Sequence, residues 1–186
     1  MNYWPEELAP KKAPDDAKEP FQDWWRRVRS RFPNIPADVG EQWLYDNWGS
    51  SPYGYLISQP YRFDVAVWDS ARLAEIRERT YDWEIGGEKS ENKGRVIIRN
   101  LGEYEFRTAR YLVDHLSFPR PIIVLDNRDG HLRKGIPPVP ESENLPASYL
   151  LIEGHRRFQM GLYLQSMGKL NPTVELWIMT AGSQNA

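Results

Sequence analysis

The 186-residue sequence contains no cysteine and only three histidines. Without cysteine, the chain can form neither disulfides nor thiolate zinc sites, and a cysteine nucleophile is excluded. It also lacks any apolar run close to the roughly 20 residues that a membrane-spanning helix needs. Residues 1–20 lack the apolar core of a signal peptide. We therefore expect a cytoplasmic protein with no membrane partner.

An excess of positive charge is missing as well. The 24 lysines and arginines face 26 aspartates and glutamates, which gives a formal net charge of −2. Non-specific binding to nucleic acid requires several Lys or Arg contacts to phosphate, so it would depend on a local basic face. Tryptophan, by contrast, is plentiful, with 8 residues. Tryptophans fill cores and also anchor protein interfaces, so their number alone leaves both roles open.

The N-terminal third of the sequence predicts an arm followed by a helical extension. Residues 1–20 are rich in Pro, Lys, Asp, Glu and Ala, which is typical of a loosely ordered arm. Residues 21–59 predict two helices, over 21–32 and 36–48, because apolar residues recur there at helical spacing. The first helix carries four arginines on its polar side. They are Arg26, Arg27, Arg29 and Arg31. These side chains form either a solvent-exposed face or a set of phosphate contacts to nucleic acid.

Residues 60–186 alternate between strand and helix patterns, which predicts one α+β domain with a mixed sheet and flanking helices. Strands are predicted over 61–68, 95–99, 121–125, 149–152 and 173–180. Helices are predicted over 69–79, where Asp69 is the expected cap, over 104–116, and from residue 155 onward. The Gly- and Asn-rich residues 84–94 and the proline-rich residues 133–148 are predicted to be loops.

The strongest chemical signal follows the strand at 149–152. There a glycine turn leads into a helix that begins with three potentially cationic side chains. Backbone N–H groups and the helix dipole favour an anion at such a place, and an arginine fork suits phosphate. The candidate phosphate-binding residues are therefore Gly154, His155, Arg156 and Arg157.

Two other roles are open for the same residues. An arginine here could instead pair with Glu153 or Glu175 and simply lock the sheet. If the site is catalytic, the candidate proton-transfer residues are His155 and Glu153, because histidine titrates near neutral pH and a carboxylate can act as a base.

The segment Ile-Glu-Gly-His-Arg-Arg-Phe at 152–158 resembles the signature of ParB-like domains, whose fold is shared with sulfiredoxin. The hairpin at 121–130 and the closing strand at 174–178 are similar to that family as well. The resemblance implies a ParB/sulfiredoxin-like fold over residues 60–186. It also implies a nucleoside triphosphate, with Mg²⁺, held by Gly154, Arg156 and Arg157. Gly154 stands where sulfiredoxin has its cysteine, so sulfiredoxin chemistry is excluded.

We therefore expect a stand-alone module that binds the phosphates of a nucleotide or nucleic acid. Stand-alone domains that resemble this family are typical of phage and mobile-element systems. One alternative is a metal-dependent nuclease or nucleotide hydrolase on the same site, with His131 expected nearby. The weak candidates for metal ligands in that enzyme are Asp126, Asp129 and His131. They lie in or beside an Asp-x-x-Asp-Gly segment, which is equally typical of a hairpin turn. The other alternative is a protein-interaction or inhibitor module that uses the Trp-rich N-terminal half.

Overall fold

The computed structural model describes residues 4–12, 17–51, 53–58, 60–79, 83–85, 88–101, 107–133 and 145–182. The chain divides into two compact units. The first unit contains Met1–Phe63, Lys134–Asn144 and Ala181–Ala186. The second contains Asp64–Arg133 and Leu145–Thr180. No helix within the described ranges combines the length and the apolar composition that crossing a bilayer requires.

The first unit consists of short helices. Helix α1 is Phe21–Val28, and it tightens into a 3₁₀ turn at Arg29–Arg31 rather than continuing as one α-helix to residue 32. The short helix α2, Ala37–Val39, continues as a π-helical segment, Gly40–Tyr45. Further 3₁₀ turns lie at Glu6–Leu8 and Gly54–Ser58.

Aromatic side chains form the core of the first unit. Trp24 and Trp43 are fully buried, and Trp4 meets Trp48 edge to face with 4.8 Å between ring centroids. The indole Nε1 of Trp24 donates to the carbonyl of Leu8 at 2.8 Å, which ties the start of the chain to α1. These four tryptophans therefore have a structural explanation, and the high Trp content does not by itself indicate an interface.

The second unit is built on a six-stranded sheet. The strands are β1 Tyr61–Asp69, β2 Ile76–Arg79, β3 Trp83–Ile85, β4 Ile122–Asp126, β5 Tyr149–Glu153 and β6 Thr173–Ala181. Their order across the sheet is β1-β6-β4-β5-β2-β3. Pairs β4–β5 and β2–β3 are antiparallel, whereas β4–β6 and β2–β5 are parallel. The α+β class with a mixed sheet, predicted from the sequence, is confirmed.

Within the described residues, three α-helices flank this sheet: α3 Glu88–Arg99, α4 Arg107–His115 and α5 His155–Ser166. Helix α5 is the most buried of them, since α3 and α4 both pack against it while its apolar side chains join the core. Phe158 of α5, Leu112 of α4 and Val124 of β4 belong to one cluster of fully buried residues. This packing holds the start of α5 at one edge of the sheet.

Three predictions between residues 69 and 99 are wrong. The helix predicted over 69–79 is a 3₁₀ segment, Ser70–Glu75, followed by strand β2. Asp69 does cap it, accepting a hydrogen bond from the backbone N–H of Ala71 at 2.8 Å. In the loop predicted over 84–94, residues 84–85 end β3 and residues 88–94 belong to helix α3, while 86–87 lie outside the described residues. The strand predicted over 95–99 is the second half of the same helix. Pairing and packing with distant residues override the local pattern there.

Three other predictions concern residues that are only partly described. The helix predicted over 104–116 corresponds to α4, although residues 102–106 lie outside the described residues. The loop predicted over 133–148 includes 134–144, which also lie outside them; its ends meet where the backbone N–H of Leu145 donates to the carbonyl of Arg133 at 3.0 Å. In the N-terminal arm, residues 1–3 and 13–16 lie outside the described ranges.

Candidate functional site

Gly154 forms the turn between β5 and α5. Its backbone is left-handed, with φ of 96°, and a β-carbon there would stand 2.6 Å from Cγ2 of Ile122. Glycine is therefore required both by the backbone conformation and by the space. The carbonyl of Gly154 accepts the N–H of Phe158 at 2.8 Å, which starts the helix. The N–H groups of residues 155–157 have no acceptor within the helix, as in any first turn.

The parallel pairing of β2 with β5 places Glu78 beside this turn. Ile76 pairs with Tyr149 and Arg77 with Leu150, so both strands run toward the same edge of the sheet. Successive side chains of a strand alternate between faces, and Ile76 is fully buried. Glu78 therefore points to the same, interior side as Ile76.

The Glu78 carboxylate is 1 % exposed and accepts three hydrogen bonds. His155 Nδ1 lies 2.9 Å from Oε1, and Gln159 Nε2 donates to the same oxygen at 2.7 Å. The hydroxyl of Ser90 in α3 donates to Oε2 at 2.6 Å. His155 and Gln159 are four residues apart and lie on one face of α5. One strand and two helices thus converge on a single buried carboxylate.

A glycine in α3 allows Ser90 to reach Glu78. A β-carbon on Gly94 would overlap the backbone carbonyl of Gln159, so α3 can approach α5 this closely only without a side chain at position 94. Ser90 precedes Gly94 by four residues and lies on the same helix face. The contact between the two helix backbones therefore brings the Ser90 hydroxyl to the carboxylate.

Glu78 is ionised in this environment. Burial raises the pKa of its carboxyl, but the hydrogen bonds from His155, Ser90 and Gln159 outweigh that effect, and the pKa lies below its ordinary value. An ionised carboxylate only accepts hydrogen bonds, so Nδ1 of His155 must carry the shared proton. Its second ring nitrogen, Nε2, lies on the opposite side of the ring. The His155 side chain is 33 % exposed, so this ring can meet a ligand.

The two arginines that follow His155 occupy different environments. Arg156 is exposed at the start of α5. Arg157 is only 8 % exposed, and its guanidinium donates to the carbonyls of Arg120 and Pro121 at 2.8 and 3.3 Å. It thereby attaches α5 to the backbone that leads into β4. Because Arg156 is exposed and Arg157 is buried, Arg156 is the arginine better placed to meet a ligand.

Glu153 supports the structural role of Arg157. The side chain of Glu153 is partly buried, and its Oε1 lies 4.0 Å from the Arg157 guanidinium. The alternative in which an arginine pairs with Glu153 and stabilises the sheet therefore fits Arg157. Glu175, the other carboxylate considered for such a pair, is exposed on β6.

The weak metal candidates lie at the other end of β5. Asp126 pairs with Tyr149 at the start of β5, whereas Ile123 pairs with Glu153 at its end. Four residues of strand separate these ends by about 13 Å. The prediction that His131 lies near the Gly154 turn is therefore wrong, since His131 belongs to the turn that follows Asp126.

The acidic groups of that turn already have partners. Asp126 binds the Arg128 guanidinium at 2.7 Å, and Asp129 lies 2.5 Å from His131 Nδ1. These hydrogen bonds lower the pKa of both carboxyls. The buried Asn127 side chain bonds to Leu132 and Pro146 and so organises the turn. Within the described ranges, no group of three or more His, Cys, Asp or Glu side chains could hold a metal ion.

The four arginines predicted as nucleic-acid contacts have different surroundings. Arg26 pairs with Asp23 at 2.9 Å, and Arg27 bonds to Glu19 and to the carbonyl of Ala9. Arg29 and Arg31 are exposed in the 3₁₀ turn after α1.

Beside that 3₁₀ turn, the first unit has an open groove of about 350 Å³. Its lining includes Trp25, Arg29, Phe32, Pro33 and Ile35. Aromatic residues and arginine are common anchors of protein interfaces, so the interaction module stays a prediction for this region.

Sequence reasoning missed Glu78, Ser90 and Gln159. Glu78 lies in the segment 69–79, for which the sequence predicts a helix, and Ser90 lies in the predicted loop at 84–94. The available signal was the His155–Gln159 spacing, which places two polar side chains on a helix that is otherwise mostly buried. Such a pair requires a partner in the interior.

Comparison of the chain with models of known protein families, with curated proteins and with solved structures gives no match. The resemblance to ParB-like domains therefore stays a prediction.

Proposed function

We propose that the second unit binds the phosphate groups of a nucleotide or nucleic acid at the start of α5. The observation that carries this proposal is the convergence of the left-handed Gly154 turn, the exposed Arg156 and the partly exposed His155 ring at one edge of the sheet. Ligand sites of α/β sheets commonly lie beyond the carboxyl ends of parallel strands, as here beyond β2 and β5.

Three kinds of donor support an anionic ligand at this turn. The N–H groups of the first turn of α5 face away from the helix and carry the positive end of its dipole. The guanidinium of Arg156 can form two parallel hydrogen bonds to phosphate oxygens. His155 can add a third donor through Nε2 when its ring is protonated. The buried carboxylate of Glu78 then neutralises the imidazolium charge. The net positive charge that attracts the ligand therefore comes from Arg156 and the helix dipole.

Arg157 is not part of the proposed contact, because its guanidinium is buried against the carbonyls of Arg120 and Pro121. A Mg²⁺ ion that accompanies a nucleoside triphosphate would be held mainly by phosphate oxygens and water, as is usual for this ion. The resemblance to a nucleotide-binding family agrees with this view but does not identify the base.

The test is a binding measurement by calorimetry and thermal shift. The probes are inorganic phosphate, pyrophosphate, the common nucleoside triphosphates, and short single-stranded DNA and RNA, each with and without Mg²⁺. We expect Arg156→Ala to weaken binding of the best probe by about 2–4 kcal/mol, the usual cost of losing a charge-assisted contact. Arg156→Lys should recover only part of this loss, because an ammonium group cannot form the two parallel hydrogen bonds.

Arg95→Ala is a matched control, since Arg95 is also an exposed helical arginine but lies in the second half of α3. It should bind every probe as the wild type does. The proposal fails if no phosphate-containing probe binds the wild type, or if Arg156→Ala binds as tightly as the control.

A further inference from the structure

The Glu78–His155 pair is more than phosphate binding requires. A helix N-terminus and an arginine already suffice to hold a phosphate. Burying an ionised carboxylate is costly, and the chain satisfies this one with three donors from two helices. A set of well-packed apolar side chains could join β2, α3 and α5 without any buried charge. A functional role therefore explains the buried charge better than a purely structural role.

The geometry defines what the pair can do to a proton. Nδ1 of His155 is 2.9 Å from Glu78 Oε1, and the ionised carboxylate fixes the proton on that nitrogen. In the neutral ring, Nε2 then carries a lone pair on the side away from Glu78. The same division of roles, with one nitrogen held by a buried carboxylate and the other facing the substrate, makes histidine a general base in hydrolytic enzymes.

We infer that His155, oriented by Glu78, is a general base for the hydrolysis of phosphate esters at this site. The inference rests on the phosphate-binding function proposed above. His155 would be the catalytic residue, and Glu78 would be a positioning residue that acts through it. Ser90 and Gln159 would hold the Glu78 carboxylate in place, since each donates to one of its oxygens.

The reaction needs only water as co-reactant. Nε2 of neutral His155 takes a proton from a water molecule while the water oxygen bonds to phosphorus. The bond between phosphorus and the leaving oxygen breaks, and its electron pair stays on that oxygen. The leaving oxygen takes a proton from solvent, the imidazolium releases its proton to solvent, and nothing is oxidised or reduced. Arg156 and the helix N–H groups would offset the negative charge that develops on the phosphoryl oxygens.

The test compares the wild type with His155→Gln, Glu78→Gln and Ser90→Ala. The substrates are p-nitrophenyl phosphate, bis(p-nitrophenyl) phosphate and the nucleoside triphosphate that binds best, each assayed with Mg²⁺ and with EDTA. General base catalysis contributes about 100- to 10,000-fold, so His155→Gln should lower kcat by at least about 100-fold. Glu78→Gln should lower kcat by at least about 10-fold while KM changes little, because it disturbs the ring and leaves the Arg156 and backbone contacts to phosphate in place.

A spectroscopic readout separates positioning from mere stability. Nitrogen-15 NMR of the His155 ring should show the Nδ1–H tautomer in the wild type. Ser90→Ala should retain it, and Glu78→Gln should lose it. This measurement on the wild type stands even if Glu78→Gln folds poorly.

Two failures are distinguishable. If the wild type binds phosphate probes but hydrolyses none of the substrates, this inference is overturned and the binding function stands. If no phosphate probe binds, the binding function itself is wrong. A wild-type ring in the Nε2–H tautomer, or an unchanged kcat in folded His155→Gln, would also overturn the inference.

Discussion

Gly94 of α3 lies against the backbone carbonyl of Gln159 in α5, so closely that a β-carbon at position 94 would overlap the carbonyl oxygen. The side chain of the same Gln159 donates to Glu78 at 2.7 Å. The fit between the two helix backbones and the buried carboxylate are therefore parts of one arrangement. Any change that moves α3 away from α5 should also remove Ser90 from Glu78.

We expect Gly94→Ala to destabilise the protein by at least about 2 kcal/mol, because the added methyl group must push two helix backbones apart. Helix propensity alone predicts the opposite sign, a gain of about 1 kcal/mol for alanine over glycine. Denaturant unfolding decides between the two effects. Arg95→Ala, at the next and exposed position of α3, is the control and should be nearly neutral. A stabilised Gly94→Ala variant would show that the close approach of α3 and α5 is wrong.

The Glu78 carboxyl should make stability depend on acid pH. Its pKa in the folded protein is lower than its ordinary value of 4.5, so it contributes stability above pH 4.5 that is lost as the pH falls through the lower, folded-state pKa. Glu78→Gln should therefore be less stable than the wild type at pH 7, and the difference should shrink as the pH falls below about 4.5. Unfolding curves measured from pH 7 to pH 3 test this. A constant difference over that range would mean that folding does not change the pKa of Glu78.

The neighbouring arginines of α5 should separate stability from binding. Arg157→Met removes the hydrogen bonds to the carbonyls of Arg120 and Pro121 while keeping much of the side-chain volume, and it should cost about 2–4 kcal/mol of stability. Arg156→Met changes an exposed residue and should stay within about 0.5 kcal/mol. Thermal and denaturant unfolding of the two variants, made in parallel, provide the measurement. Equal losses would mean that Arg156 also supports the fold.

The parts of the fold that were predicted from the sequence are those with a strong local pattern. Strands β4 and β5 read as continuous apolar runs, and α5 follows a glycine whose left-handed backbone ends β5. Strand β2 and helix α3 were missed because distant partners decide their structure. The charged residues Arg77 and Glu78 form a strand because β2 pairs with β5 and β3. The polar start of α3 is helical because that helix packs on α5.

The candidate site divides in the same way. Gly154, His155 and Arg156 are adjacent in the sequence, so their turn could be recognised as a local pattern. Glu78 lies 77 positions from His155, and only the parallel pairing of β2 with β5 brings them together. No local pattern could predict that contact. Nor could it predict that Arg157, beside Arg156 in the sequence, is buried against backbone carbonyls.

The last prediction concerns the arginines of the first unit. Each phosphate contact contributes about 0.7–0.9 to the slope of log K against log salt concentration. Arg26 and Arg27 have acidic partners, which leaves Arg29 and Arg31 as the exposed arginines for which no acidic partner is described, so this region offers few contacts. We therefore expect the double variant Arg29→Gln, Arg31→Gln to keep the wild-type slope for short DNA and RNA, whereas Arg156→Gln should lower its magnitude by about one contact. Fluorescence anisotropy at several salt concentrations measures both slopes. A decrease of about 1.5 in the double variant would instead identify the turn after α1 as the nucleic-acid contact, because that is the loss expected for two phosphates.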